Sequence, residues 1–184
     1  FGSRAGIDTD LSYIADVGFT YRPDDRLSID FDLGFVQSKN WYLHQGGNSF
    51  TSFDALQIRP GLSMDYFISA TQQLRFSLQW VGIVAEENAF WRVPTTPGRL
   101  IRRTKENPSN ADDFSVSEMT MQLRYRWEIA PLSDLFVVYT RGSNLPNRHN
   151  DDFGSLFDRA FNQPIIEIIE SDENDSPILS PEFR

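Results

Sequence analysis

Residues 123–142 read LRYRWEIAPLSDLFVVYTRG, and the reading of this stretch decides the fold. Arg124, Arg126 and Glu128 occupy every second place, with Leu123, Tyr125, Trp127 and Ile129 between them. Strict alternation of charged and apolar residues is the period of a strand with two unlike faces, since successive side chains point to opposite sides. APLSD then supplies a proline turn, and Leu135, Val137 and Tyr139 resume the apolar face. Phe136 and Val138 break the alternation, so this strand is expected to be covered on both faces.

The same plan occurs twice upstream. Leu11, Tyr13, Ala15, Val17, Phe19 and Tyr21 alternate with polar residues, RPDDR turns, and Leu27, Ile29, Phe31, Leu33 and Phe35 follow. Leu56, Ile58, Pro60, Leu62, Met64, Tyr66 and Ile68 then run to SATQQ, and Leu74, Phe76, Leu78 and Trp80 answer them. Pro60 lacks an N–H, which predicts a bulge or a locally unpaired position. Between these hairpins, residues 36–55 and 85–118 read as long connections, whereas compact soluble domains mostly use loops of about 4–6 residues.

Short turns alternating with long loops, strands of about ten residues and apolar-out, polar-in alternation are together the pattern of an outer-membrane barrel. The sequence therefore predicts an all-β fold: an antiparallel up-and-down transmembrane β-barrel segment of about six strands in three hairpins, with a short C-terminal helix. Residues 1–141 are the barrel segment, and residues 142–184 hold a loop, the helix and an acidic tail. The alternative is a soluble all-β module for carbohydrate or protein, a sandwich or lipocalin-like barrel, which also alternates.

On the barrel reading, Asp16, Asp30, Asp32, Arg59, Asp65, Arg75, Arg124, Arg126 and Glu128 face a polar lumen, where the last three have Asp16, Asp30, Asp32 and Asp65 as candidate partners. Tyr21, Tyr66 and Trp127 sit beside short turns, as an aromatic girdle at the lipid headgroups does. Six strands fall below the roughly eight-strand minimum, so further strands are expected from an upstream part or another chain. The chain opens at Phe1, with no initiator Met and no signal-peptide pattern, which suggests a processed chain or a piece of a longer one.

After Thr140, RGSNLPNRHN reads as a loop from its Gly, Pro and Asn. Phe153, Leu156, Phe157, Ala160 and Phe161 recur at helical spacing, with Asp151 and Asp152 at the start and Pro164 at the end. That helix is expected to cap the barrel rim or plug the lumen. Ile165 to Ile169 form an apolar stub before an acidic tail whose DENDS fails as a calcium loop, because Pro177 stands where an EF-hand needs Gly.

A net charge of -9 disfavours nucleic acid, which requires a basic face. There is no cysteine for a disulfide or thiolate site, and no cofactor or metal is implied. His44, His149, Ser49, Ser52, Asp151 and Asp152 all fall in predicted loops, a combination that does not by itself make a triad, so no catalysis is expected. The loop ENAFWRVPTTPGRLIRRTKENPSNADD gathers Trp91, Arg92, Arg99, Arg102, Arg103 and Lys105, with Phe90 before them. These are candidates for contact with an anion or extracellular glycan, against the plainer role of neutralising an acidic rim.

FSVSEMTMQLRYRWEIAPLSDLFVVYTRG, with LRFSLQWVGIVA before it and LFDRAFNQP after it, resembles the C-terminal end of a bacterial family of domains of unknown function. The resemblance covers about Leu11 to Pro164. It implies an N-terminal carbohydrate-binding-like sandwich followed by an outer-membrane β-barrel region, hence outer-membrane lipid as a partner. The sandwich is absent here, so no sugar-binding residue carries over, and the family supplies no catalytic residue. Where the family is expected to end in a closing strand of alternating basic and aromatic residues, this chain has SPILSPEFR.

Overall fold

The computed structural model describes residues 2–5, 11–96, 98–105, 113–147 and 151–173. Within them nine strands form one antiparallel sheet with one helix: β1 (Gly2–Ala5), β2 (Leu11–Asp24), β3 (Leu27–Gly46), β4 (Ser49–Ser69), β5 (Gln72–Arg92), β6 (Ile101–Arg103), β7 (Phe114–Ala130), β8 (Ser133–Asn147), α1 (Phe153–Asn162) and β9 (Ile166–Glu173). The order is β1-β2-β3-β4-β5-β7-β8-β9, with the short β6 beside the far end of β5. The sheet is not closed into a barrel; β1 and β9 are its edges.

All six expected strands are present, but they run longer than about ten residues. β4 and β5 each have 21 residues, so most of the expected loop 36–55 is strand, turned at Gly47 and Asn48. Gly46 (φ 115°) and Gly47 (φ 53°) supply the left-handed backbone that this turn requires. The strands were hidden because register shifts between Ser38 and Trp41, and between Ser52 and Phe53, interrupt the alternation there. Likewise RGSNLPN is the end of β8 and not a loop, because its backbone pairs with β7 as far as Ser115↔Asn147. The apolar stub is β9, paired along β8 from Gly142↔Ile166 to Leu135↔Glu173. At Pro60 the pairing with β3 is kept and that with β5 is skipped, as a missing N–H demands.

Register joins the strands into two faces. Phe19↔Phe31, Phe31↔Leu62, Leu62↔Leu78, Leu78↔Met121 and Leu123↔Tyr139 make one continuous apolar face. The other face is polar toward the short turns and apolar toward the long ends, where Phe53, Ala55 and Ala85 are buried with Leu43 and Phe114 packed on them. Trp41 on β3 and Phe114 on β7 bring their rings to 6.1 Å although β4 and β5 lie between. In a flat sheet those strands stand about 14 Å apart and their side chains rise perpendicular to it. The sheet therefore curls toward this face, which is the concave one.

The helix is where its spacing predicts, but neither at a rim nor in a lumen. Leu156 and Ala160 are buried against Trp80 and Met119, with Phe153, Phe157, Ile58, Leu78 and Val84 around them. These strand residues lie on the apolar face, so α1 covers part of it from outside. The reason is chemical fit: the helix brings a wholly apolar stripe, and the sheet offers two large side chains beside Gly82 and Ser117, whose small size leaves room. Trp80 meets the Phe157 ring edge-on at 5.3 Å and donates Nε1–H to Ser117 Oγ (2.8 Å), and Ser117 donates in turn to the Leu156 carbonyl (3.0 Å).

Asp152 caps α1, accepting from Ser155 N (3.0 Å) and Ser155 Oγ (2.6 Å). The Ser155 hydroxyl first, and its amide second, hold the Asp152 carboxyl below its usual value. A lowered folded-state pKa contributes stability that is present above the unfolded carboxylate range and is lost as pH falls through the lowered value. Hydrogen exchange at Ser155, Leu156 and Phe157, corrected for intrinsic rates, should therefore show protection falling as the medium is acidified. Asp152→Asn, which still caps but does not titrate, should remove that dependence; an unchanged profile would contradict the assignment.

Candidate functional site: the charged concave face

All nine charged residues expected to share a face do so by register and alternation. Gly34, opposite Asp16, is flanked by Asp32 and itself lies beside Arg59; Asp30↔Ser63, Asp65↔Arg75, Arg75↔Arg124 and Gln73↔Arg126 continue the row. Glu128 follows on β7, opposite Asp134. The expected partners of Arg124 and Arg126 are not the ones found, because Arg126 reaches a carboxylate on the adjoining strand and Arg124 an amide on its own. Arg126 pairs with Asp134 (2.9 Å), Arg75 with Asp65 (3.0 Å), and Arg124 bonds Gln122 Oε1 (3.3 Å). None of Arg124, Arg126 and Glu128 meets Asp16, Asp30, Asp32 or Asp65 in a described ion pair.

One pair reaches across a strand. Arg59 Nη2 on β4 lies 3.4 Å from Asp16 Oδ1 on β2, passing over Gly34 on β3. A Cβ at Gly34 would stand 2.8 Å from Asp16 Oδ1 and 3.0 Å from Arg59 Nε, so only glycine leaves this path open. Gly34→Val should separate the pair, yet cost no more than about 1 kcal/mol through the lost ion pair itself, since both partners are well exposed to solvent. A double-mutant cycle of Arg59→Ala and Asp16→Ala, read by chemical denaturation, checks that figure.

Both signs of charge are spread across the face, with Glu128 on β7 and Asp134 on β8 among the cations. Asp16, Asp30 and Asp32 stand on β2 and β3, Arg75, Arg124 and Arg126 on β5 and β7, with Arg59 and Asp65 on β4 between. Asp30 accepts from the Thr20 hydroxyl (2.5 Å) and, more weakly, from Ser28, and no described cation pairs with it or with Asp32. Two hollows open here: one of about 530 Å³ between Arg22, Asp30, Asp65, Arg75 and Arg124, and one of about 520 Å³ between Asp16, Asp32 and Arg59. Such an arrangement presents hydrated charges of both signs in a concave, water-filled surface.

Tyr21, Tyr66 and Trp127 fall at one end of the apolar face, each next to a two-residue turn, and are 55%, 38% and 39% exposed. Val17 and Phe19 on the same face are over 60% exposed. Among the described residues no helix is long and apolar enough to cross a membrane, a statement that bears only on helices.

The remaining candidates separate. His44 lies in β3 and bonds the Gly47 carbonyl through Nε2 (2.9 Å); Ser49 begins β4, and buried Ser52 donates to the Ala89 carbonyl (3.2 Å). Asp151 pairs with Arg159 and Asp152 caps α1. The expectation of loop positions for His44, Ser49 and Ser52 is corrected by the longer strands. His149 and the DENDS segment from Asn174 onward lie outside the described residues.

The basic loop is divided by strand alternation. Trp91, opposite Arg102, turns to the apolar side, where Nε1 donates to Ser52 Oγ (3.0 Å) and the ring meets Tyr42 edge-on. Phe90, opposite Arg103, and Arg92 take the concave side with Thr51 and Ser49. Arg99 is exposed in the connection ahead of β6. Sequence reasoning missed β6, three residues long, because so short a strand carries no period.

The family described as a domain of unknown function (DUF5916) has a model that matches residues 3–170, nearly the whole chain. This chain belongs to that family. The match takes in β2 to α1 entirely and most of β1 and β9, so the DUF5916 region and the nine-stranded sheet with its helix are one unit. No curated protein and no solved structure matches the chain.

Proposed function

We propose that this chain is a membrane-spanning segment of a bacterial outer-membrane β-barrel, acting as a pore, secretion or assembly scaffold with further strands from an upstream part or another chain. The observation that carries the reading is the exposed apolar face between the aromatic row and α1. Contiguous exposed apolar surface on this scale signals lipid or a partner. The uncovered part, from Trp127 to Met121 along β7, is about 20 Å of strand at ~3.4 Å per residue. At a tilt of 35–45° it is an apolar band about 16 Å tall, brought to about 20 Å by the Met119 row beneath α1, against ~25 Å in outer-membrane barrels. The strands continue beyond it, and α1, whose outer side carries Ser155, Asp158 and Asn162, would lie above the lipid.

The sheet edges support the need for further strands. β1 pairs only with Leu11–Ile14 of β2, leaving the rest of that strand without a neighbour on one side among the described residues, and backbone groups inside a bilayer must be paired. The eight strands along the sheet path alternate in direction, so the first and last are antiparallel and either more strands or a second sheet can join them in register.

One observation favours a soluble binding module instead: α1 already buries Trp80 and Met119 of the same face, as a helix does in a soluble α+β layer. Extraction from outer membranes in mild detergent, followed by denaturing gels with and without boiling, separates the two. The barrel reading expects a heat-sensitive band heavier than this chain that contains the upstream part or a second polypeptide. A single band of the chain's own mass, recovered without detergent and unmoved by boiling, would sink it.

A further inference from the structure

We propose that the hollow between the ends of β3, β4 and β5 and the short β6 binds a phosphate group. This goes beyond the barrel reading and stands whether or not the apolar face meets lipid. The hollow measures about 140 Å³ and is lined by Gln45, Ser49, Thr51, Phe90, Arg92, Arg103, Thr104 and Lys105 among others. Small-molecule sites usually span 300–1,000 Å³, so it suits one charged group of a ligand and not a whole one.

Three cations converge on this space in a protein of net charge -9. Lys105 is partly neutralised by Glu87 (3.0 Å) and lies 5.5 Å over the Phe90 ring. Arg92 and Arg103 have no carboxylate partner among the described residues. Pairing of β6 with β5 holds Arg103 opposite Phe90 and thereby brings two guanidinium groups to one side of the sheet. Like charges so gathered repel until an anion enters. Carboxylates present one plane of two oxygens, whereas a phosphate presents three acceptor oxygens and close to two charges. Forked donors from two arginines, an ammonium and the hydroxyls of Ser49, Thr51 and Thr104 surround such a group from several sides. Arg102, next to Arg103 in sequence, alternates to the opposite side of the sheet and takes no part.

A free phosphate and one carried by a lipid-anchored molecule share this chemistry, and two arms distinguish the sources. The full chain in detergent is titrated with inorganic phosphate at fixed ionic strength by calorimetry, with acetate as competitor. Separately, it is mixed with phosphatidylcholine vesicles with and without phosphatidic acid. Binding of phosphate with a dissociation constant of about 1 mM or tighter is expected, weakened about tenfold or more by Arg92→Ala with Arg103→Ala and unaffected by Arg102→Ala. A gain in binding to phosphatidic acid vesicles assigns the lipid-borne source; phosphate binding without that gain assigns the free one. Absence of binding in both arms, indifference to the double substitution in a chain that keeps its strand signal by circular dichroism, or equal displacement by acetate overturns the proposal.

Discussion

Trp80→Ala is expected to destabilise the chain by about 3–5 kcal/mol, the cost of emptying a large aromatic site in a packed core, and to release α1 from the sheet. The size follows from what Trp80 touches. It is 4% exposed, lies edge-on to Phe153 and Phe157, and anchors the chain of hydrogen bonds through Ser117 to the Leu156 carbonyl. Its loss opens a cavity beneath the helix and leaves the buried Ser117 hydroxyl without its donor. Met119 fills the rest of the floor beneath α1, and the Arg141 guanidinium over Phe161 (5.1 Å to the ring centre) holds the helix's far end. Trp80→Phe keeps most of the area but not the N–H, so it should fall between the wild type and Trp80→Ala. Limited proteolysis reads the result directly. Cleavage within residues 151–164 should appear in Trp80→Ala while the sheet stays resistant; equal resistance in both proteins would mean that the helix is held by something else.

That anchor also shows what the sequence could and could not convey. The helix was legible because Phe153, Leu156, Phe157, Ala160 and Phe161 repeat at its period, and Asp152 reads as a cap. Its docking place was not, since an apolar stripe states that it must be buried without stating against what. Strands β2, β3, β4, β5, β7 and β8 were legible over their turn-proximal halves, where alternation is unbroken. The far parts of β3, β4 and β5 were misread as loops because the bulges there shift the alternation by one place: Ser38 and Trp41 occupy the same face although an odd number of positions separates them; the far end of β8 was misread because its Gly142, Pro146 and Asn residues are those of a loop. For the concave charges, face was legible and partner was not. Alternation assigns Asp16 and Arg59 to one side, but only the register that brings both over Gly34 makes them a pair. The same limit grouped Trp91 with Arg92 and Arg103, which are neighbours in sequence and divided by the sheet.

Phe19→Arg separates lipid from water as the solvent of the apolar face, because the two predict opposite signs. Phe19 packs on Phe31 with ring centres 5.5 Å apart and is 61% exposed. Exposed to water, a guanidinium there loses some of that ring contact, with a cost of about 0.5–1.5 kcal/mol, and improves solubility by breaking an apolar patch. Facing lipid, the same charge costs about 2–4 kcal/mol near the bilayer midplane. Phe19 lies roughly midway between Tyr21, beside its turn, and the level of Ala15, so some of that penalty is relieved by the long Arg side chain reaching for the headgroups. Ser63→Arg, on the concave face across from Asp30, is the matched control and should be tolerated in either solvent, since it adds a cation beside a carboxylate that has only hydroxyl partners. The comparison is made by urea titration of both variants folded into phosphatidylcholine bilayers. A loss of about 2 kcal/mol or more in Phe19→Arg, with Ser63→Arg near the wild type, supports lipid contact. If Phe19→Arg instead folds as well as the wild type and becomes more soluble without detergent, the face is wet or covered by a removable partner, and the membrane assignment fails.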